Sequence, residues 1–348
     1  MKKNEDRKKR GSERVSLADV ALAAGVSKMT ASRVLNNTTG FSDKTRVRVL
    51  EEVKRLGYVQ NRLAAAFSSH GKSTFVGVSI PDLGNEVFTQ VLEGIERKLN
   101  SAGYQAVLCV SQYDHKAIEE WIETVLSWQP AGLIITGRNH TPTTRKLLKS
   151  GGVPVVEIWD LNSAPLDMNV GINHYDSGYA MGQHMVGLGN SRLGYIGTHH
   201  DSAHSAAARF RGWKAAVEDG GGSILHSHVL QDTPGFYAGY YGTEQFLKSC
   251  GDVDALYYQN DNMAAGGLMF VTSKQLRVPE DIGIAGWGDL PVGAILPKRL
   301  TTIHVPNLRL GQKAAEQLMR SISGEPFADV VDVGFHLVPG RTLGDGPR

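Results

Sequence analysis

From residue 73 onward, short apolar runs alternate with longer stretches of helical periodicity, and this alternation constrains the fold more than any other feature of the chain. "TFVGVSIPD", "YQAVLCVSQ", "AGLIITG" and "VPVVEIWD" are bounded by turn residues, and "FTQVLEGIERKLNSAG", "AIEEWIETVLSW" and "TTRKLLKSG" lie between them. Strands and helices that alternate in this way build parallel sheets covered by helices on both faces. A second series follows: "LGYIGTH", "SILHSHVLQ", "ALYYQND" and "DIGIAGWGD", with "RFRGWKAAVEDG" and "GYYGTEQFLKSC" as helices between them. The pattern predicts two doubly wound α/β lobes with a ligand cleft at the carboxyl ends of the strands.

The first 60 residues follow another rule. In "VSLADVALAAGVSKMTASRVLNN" Ser16 and Asp19 form a capping-box pattern, and Leu17, Val20, Ala21 and Ala24 share one helical face. Gly25 stops that helix, Val26 enters the turn, and Ser27 caps "KMTASRVL", with Ala31, Val34 and Leu35 inward. A third helix is predicted after Ser42, with Val47, Leu50, Val53 and Leu56 facing in and Gly57 as its stop. Three such helices can share a core that none could form alone. The short turn between the first two is a helix-turn-helix signature, which puts the start of the second helix in a DNA major groove. Lys28, Met29 and Arg33 then face base edges, while Ser27, Thr30 and Ser32 suit the phosphates or the groove wall.

Charge separates this reading from a three-helix module that binds protein. Residues 1–70 hold 15 Lys and Arg against 7 Asp and Glu, whereas the remainder holds 22 against 28. A basic head on a mildly acidic body implies a polyanionic partner for the head. Residues 2–10 taken alone also suit a solvated basic tail.

"VSLADVALAAGVSKMTASRVLNNTTGFSDKTRVRVLEEVKRLGYVQNR" resembles the DNA-binding head of the lactose-repressor (LacI/GalR) family along its whole length. The resemblance implies operator reading by Lys28, Met29 and Arg33, with Asn36 near the DNA backbone and Asn61 among the DNA-binding residues. Gln60 stands where the family usually has proline. Phe67, in "NRLAAAFSSH", stands where the family has a minor-groove leucine. That stretch is too short to be a stable helix alone and suits a hinge that folds on DNA with Phe67 as a wedge; a plain linker is the alternative.

The resemblance covers nearly the whole chain and implies its layout. Residues 1–14 form a basic tail, 15–60 the helix-turn-helix domain, 61–72 the hinge helix or linker, and 73–348 an effector-binding and dimerisation body. The body resembles periplasmic sugar-binding proteins. Its N-lobe covers about 73–171 and 303–331 and its C-lobe about 172–302 and 332–348, with crossings near Gly171, near Thr302 and in the last strand region. The C-terminal "RTLGDGPR" lacks the leucine heptads of tetrameric relatives, so a homodimer on a palindromic operator is expected.

A sugar-like ligand needs an apolar face for its carbon skeleton and polar groups for its hydroxyls; an acid also needs arginine. By resemblance, the effector positions fall on Phe88, Arg209, Phe236 and Asn260. Thr136 and Arg138 end the strand "LIITGR", and Glu157 and Trp159 lie in "PVVEIWD". Phe88 and Phe236 also suit a core, Arg138 a surface, and Asn260-Asp261 a helix cap. Arg209 stands at a helix start, where a cation opposes the dipole unless an anion is near. The carboxylate that relatives use for neutral sugar hydroxyls is replaced by Gly288, with Asp289 one place later. Together with "NEVFTQVLEGIE" and "PKRLTTIHVP", which resemble gluconate-operon repressors, this implies a sugar acid such as gluconate or a ketogluconate. Release from the operator by that effector is expected, and a corepressor that tightens DNA binding is the alternative.

Other classes fit less. The chain has no P-loop, no GxGxxG and no HExxH, and His199, His200 and His204 lie in one loop without a ligand pattern. No catalytic residue, metal or cofactor is expected. A periplasmic binding protein would match the body but not the basic head, and the charged start leads into no signal-peptide core. No apolar run reaches the ~18 residues of a membrane span, and Cys109 and Cys250 read as reduced packing residues. A cytoplasmic protein with no membrane partner is expected.

Overall fold

The computed structural model describes residues 15–36, 39–60, 73–161, 164–198, 204–231 and 234–344. The chain divides into two compact units, Met1–Ser73 and Thr74–Arg348.

The first unit holds α1 (Leu17–Ala23), α2 (Lys28–Leu35) and α3 (Asp43–Leu56). Each starts on a serine whose hydroxyl accepts from the third backbone N–H: Ser16 from Asp19, Ser27 from Thr30 and Ser42 from Thr45. Asp19 completes the capping box on α1. Gly25 and Gly57 take left-handed φ values of 60° and 64°, which turn the chain after α1 and α3. Val20, Ala21, Ala24, Ala31, Val34 and Val49 form the buried core, with Val53, Leu56 and Tyr58 packed against it. The inward face of α3 differs from expectation. Val49 is fully buried, whereas Val47 and Leu50 are exposed, because the face runs through Val49, Val53 and Leu56 at spacings of four and three.

In the second unit the strands are β1 (Phe75–Ile80), β2 (Gln105–Val110), β3 (Gly132–Thr136), β4 (Val155–Asp160), β5 (Met168–Ile172), β6 (Arg192–Thr198), β7 (Ser223–Leu230), β8 (Ala255–Tyr258), β9 (Gly283–Ala285), β10 (Thr302–His304), β11 (Val330–Asp332) and β12 (His336–Val338). The helices are α4 (Glu86–Ser101), α5 (His115–Ser127), α6 (Pro142–Ser150), α7 (His174–Gly187), α8 (His204–Asp219), α9 (Phe236–Ser249), α10 (Asp261–Ser273), α11 (Pro291–Ile295) and α12 (Asn307–Ser323).

Six parallel strands form one sheet in the order β11-β5-β4-β3-β1-β2, and four form another in the order β7-β6-β8-β9. β10 pairs antiparallel with β12, and single bridges tie Ala285 to Thr301 and Gly288 to His304. The chain leaves the first sheet after β5, returns to it through α12 and β11, and leaves again for β12. Central strands β4 and β5 are buried along their length, as strands covered on both faces must be. Among the described residues no helix is long and apolar enough to cross a membrane.

Candidate functional site

In the first unit, the burial of Ala31 and Val34 turns the opposite face of α2 to solvent. Lys28, Met29 and Arg33 lie on that exposed face, and the Met29 side chain is 64 % exposed. An exposed thioether at the start of a short helix is available for apolar contact. Ser27 is committed as the cap, and its hydroxyl also stands 2.9 Å from that of Thr30. Asn36 follows the helix, with Nδ2 donating to Ser32 Oγ at 3.3 Å. Asn61 and Phe67 lie outside the described residues.

In the second unit, the end of β4 and the turns after β1, β2, β3, β7, β8 and β9 converge on one cavity with the first turns of α4 and α8. Of the residues expected there, Phe88, Thr136, Arg138, Trp159, Arg209 and Asn260 line it. Glu157, Phe236 and Asp289 do not. Glu157 is fully buried behind the wall: Oε2 accepts from Leu166 N–H at 2.9 Å, and Oε1 stands 2.9 Å from His140 Nε2 without the alignment of a hydrogen bond. Phe236 opens α9 and is 45 % exposed. Asp289 turns to His304, whose Nδ1 is 2.8 Å from Oδ2, and Arg299 stands 3.9 Å from Oδ1.

Aromatic rings form one wall. Phe88 lies 5.0 Å from Trp159 between centroids, and Trp159 meets Trp287 edge-on at 5.9 Å. Trp159 reaches this position through a left-handed backbone, φ 91°, a conformation that costs free energy in a non-glycine residue. Its surroundings hold it there. Asn169 Nδ2 donates to the carbonyls of Glu157 and Asp160, both at 3.0 Å. Gly171 lies alongside, where a Cβ would come within 2.7 Å of the Trp159 oxygen.

Arg209 forms the charged part of the site. It lies in the second turn of α8 rather than at its start, so burial, not the helix dipole, sets its electrostatics. The guanidinium carbon is 3.9 Å from the centroid of the Trp287 ring. Nη1 stands 3.3 Å from His174 Nδ1, and Nη2 donates to the Gln259 carbonyl at 3.4 Å. The facing guanidinium makes Nδ1 the acceptor and assigns the ring proton to Nε2. Burial, then the nearby Arg209 charge, holds His174 well below the usual imidazole range, so it is neutral. Among the described residues no carboxylate comes within 4.0 Å of Arg209, whose residue is only 7 % exposed. Asp160 is the nearby acid, 3.8 Å from His174 Nε2, and its own burial raises its pKa. The cavity thus presents a desolvated cation beside flat apolar faces, an arrangement suited to an anion with a carbon skeleton.

Asp160, His174 and Trp287 were not anticipated from sequence. Trp287 follows a strand in "GIAGWGD", and strand-end position was the available signal for it and for Asp160. His174 opens the helix just after the first crossing and carries no comparable mark.

Two family descriptions match the chain. Residues 16–61 match "Bacterial regulatory proteins, lacI family", and residues 73–333 match "Periplasmic binding proteins and sugar binding domain of LacI family". The chain belongs to the LacI family. It is a DNA-binding transcriptional regulator of that family and not an enzyme, with a helical head and a body of the periplasmic-binding-protein type. The HTH-type transcriptional regulator GntR of Escherichia coli K12 is 33 % identical over 95 % of this chain and 99 % of its own length. A LacI family regulator from Silicibacter pomeroyi superposes with a TM-score of 0.89 at 36 % identity, over 95 % of this chain and all of its own. The lac repressor dimer bound to operator and the anti-inducer ONPF gives 0.83 at 26 %, over 95 % and 99 %.

Proposed function

We propose that this regulator is a homodimeric repressor released from a palindromic operator by a sugar acid, gluconate or a ketogluconate, held by Arg209 with Arg138 at the cleft rim. Arg209 carries the proposal: a buried guanidinium with no carboxylate in ion-pair range among the described residues calls for an anionic ligand. The similarity to GntR supports the same chemical class. Thr136 and Asn260 already use hydrogen-bonding capacity on Ser79 and Pro234 carbonyls, so they shape the wall more than they reach for hydroxyls.

Lys28, Met29 and Arg33 read base edges in this scheme, Ser27, Thr30, Ser32 and Asn36 meet the backbone, and residues 61–72, with Phe67, fold as a hinge on the operator. Ligand closes the cleft between the lobes and separates the paired hinges. A 99:1 reversal of the bound state requires about 10⁴-fold ligand preference, roughly 5.5 kcal/mol.

Calorimetric titration with gluconate, 2-ketogluconate and a neutral hexose tests the effector. Heat from an acid alone supports the proposal, and silence with both acids overturns the chemical class. Adding the binding acid to an operator complex at fixed salt then tests release, and tighter binding would make it a corepressor.

A further inference from the structure

We infer that Gln60 is a positioning residue for DNA-backbone contacts, acting through a side-chain relay across the end of α2. The inference rests on the proposal that α2 docks on DNA.

Gln60 Nε2 donates to Asn36 Oδ1 at 2.8 Å, across 24 residues of sequence. Asn36 Nδ2 then donates to Ser32 Oγ at 3.3 Å. The bonds run in one direction, from Gln60 to Asn36 to Ser32. At the end of the chain the Ser32 hydroxyl proton has no acceptor among the described residues, and Asn36 keeps a second amide proton. Hydrogen bonds in series polarise one another, and donors at the end of such a chain suit an anionic oxygen. These two protons stand beside the exposed face that carries Lys28, Met29 and Arg33. A DNA phosphate is the acceptor that such a position meets.

The relay fixes which way the Asn36 amide faces. Without the Gln60 donor, Asn36 can turn its oxygen to Ser32 and take up the proton that the phosphate would receive. Proline, usual here in the family that this chain resembles, has no side-chain donor, so the relay is a property of this sequence.

The test uses the full chain and the duplex that the wild-type protein enriches from a random pool. Gln60→Ala removes the first donor. Gln60→Glu offers only acceptors, so Asn36 Nδ2 turns to it and Oδ1 draws the Ser32 proton inward. Val59→Glu places the same charge on the neighbouring residue, which is 75 % exposed, outside the relay. We expect Gln60→Ala to bind the enriched duplex about ten-fold more weakly, the scale of a hydrogen bond to a charged group. Gln60→Glu should bind more weakly than both Gln60→Ala and Val59→Glu. The salt dependence and thermal midpoint of Gln60→Ala should match wild type, since no Lys or Arg contact is lost. Wild-type affinity in Gln60→Ala overturns the relay, as does Gln60→Glu binding no worse than Val59→Glu. A loss accompanied by flatter salt dependence and a lower midpoint would make the role of Gln60 purely structural. A pool in which no sequence is enriched overturns the DNA-reading proposal beneath it.

Discussion

Arg209 and Trp287 form a buried cation–π pair, with the guanidinium carbon 3.9 Å from the ring centroid. Arg209 comes from α8 and Trp287 from the turn after β9, so the pair forms only when the second lobe is folded. A buried cation with no carboxylate in ion-pair range among the described residues, and only the more distant Asp160 acting on it, costs stability, and it is kept where a ligand supplies the missing charge. Arg209→Met should therefore bind gluconate about 100-fold more weakly, within the range for truncating one side of a buried charge pair. Its thermal midpoint without ligand should equal or exceed that of wild type. Calorimetry and thermal melts check both halves, and a midpoint well below wild type would show that Arg209 is structural.

The position of α8 depends on two glycines. A Cβ on Gly178 of α7 would come within 1.9 Å of the Arg209 oxygen, and one on Gly212 within 1.9 Å of the Tyr175 oxygen. Both obstacles are backbone, so the helices themselves must separate. Gly178→Ala should cost about 1–3 kcal/mol, the range for overpacking, and weaken acid binding by shifting Arg209. Gly187→Ala, at the end of the same helix with nothing within 4 Å of the added Cβ, should leave acid affinity unchanged. Urea unfolding and acid titration of the two variants make the comparison.

Most of the architecture was legible because periodicity and caps are local signals. Ser16, Ser27 and Ser42 mark three helix starts, and the apolar runs mark β1 to β4 and β6 to β9. The site was legible where strand ends told which side chains converge, as for Thr136, Arg138 and Trp159, and where the family resemblance supplied positions on helices, as for Phe88 and Arg209. Glu157 and Asp289 have the chemistry for a hydroxyl acceptor, yet His140 and Leu166 surround one and His304 faces the other. Sequence pattern cannot report such contacts, because they come from residues distant in the chain or across a turn. The same holds for His174, whose role beside Arg209 depends on the crossing between lobes.

The exposed Leu50 and buried Val49 give a direct check on the head. Val49→Ala removes two methyl groups from a closed three-helix core and should cost about 1–3 kcal/mol. Leu50→Ala removes a larger side chain, yet should cost less, about 0.5 kcal/mol, because Leu50 is already 44 % exposed and lies off the buried face. Denaturation of the head followed by far-ultraviolet circular dichroism measures both. Equal losses would return Leu50 to the inward face predicted from its spacing.

Asp261 links pH to stability at the start of α10. Its Oδ1 accepts from the Thr302 hydroxyl at 2.6 Å and its Oδ2 from the Leu290 N–H at 2.7 Å. Burial outweighs these bonds, and its pKa is pushed up to about 7. An unfolded aspartate titrates near ~3.9. Between about pH 4 and 7 the folded chain therefore holds a proton that the unfolded chain has released, and stability falls as pH rises through that window. His174 acts in the opposite sense. Held neutral by burial, it loses stability for the fold as pH drops below about 6.5, where the unfolded imidazole takes up a proton. Wild type alone reports the sum, so the difference from Asp261→Asn isolates the carboxyl. The asparagine cannot titrate, and its changed bond to Leu290 adds an offset that does not vary with pH. Urea midpoints from pH 4 to 8 should show Asp261→Asn gaining steadily on wild type up to about pH 7 and levelling above it. A constant difference across that range would mean that Asp261 is ionised throughout, with its two donors outweighing burial.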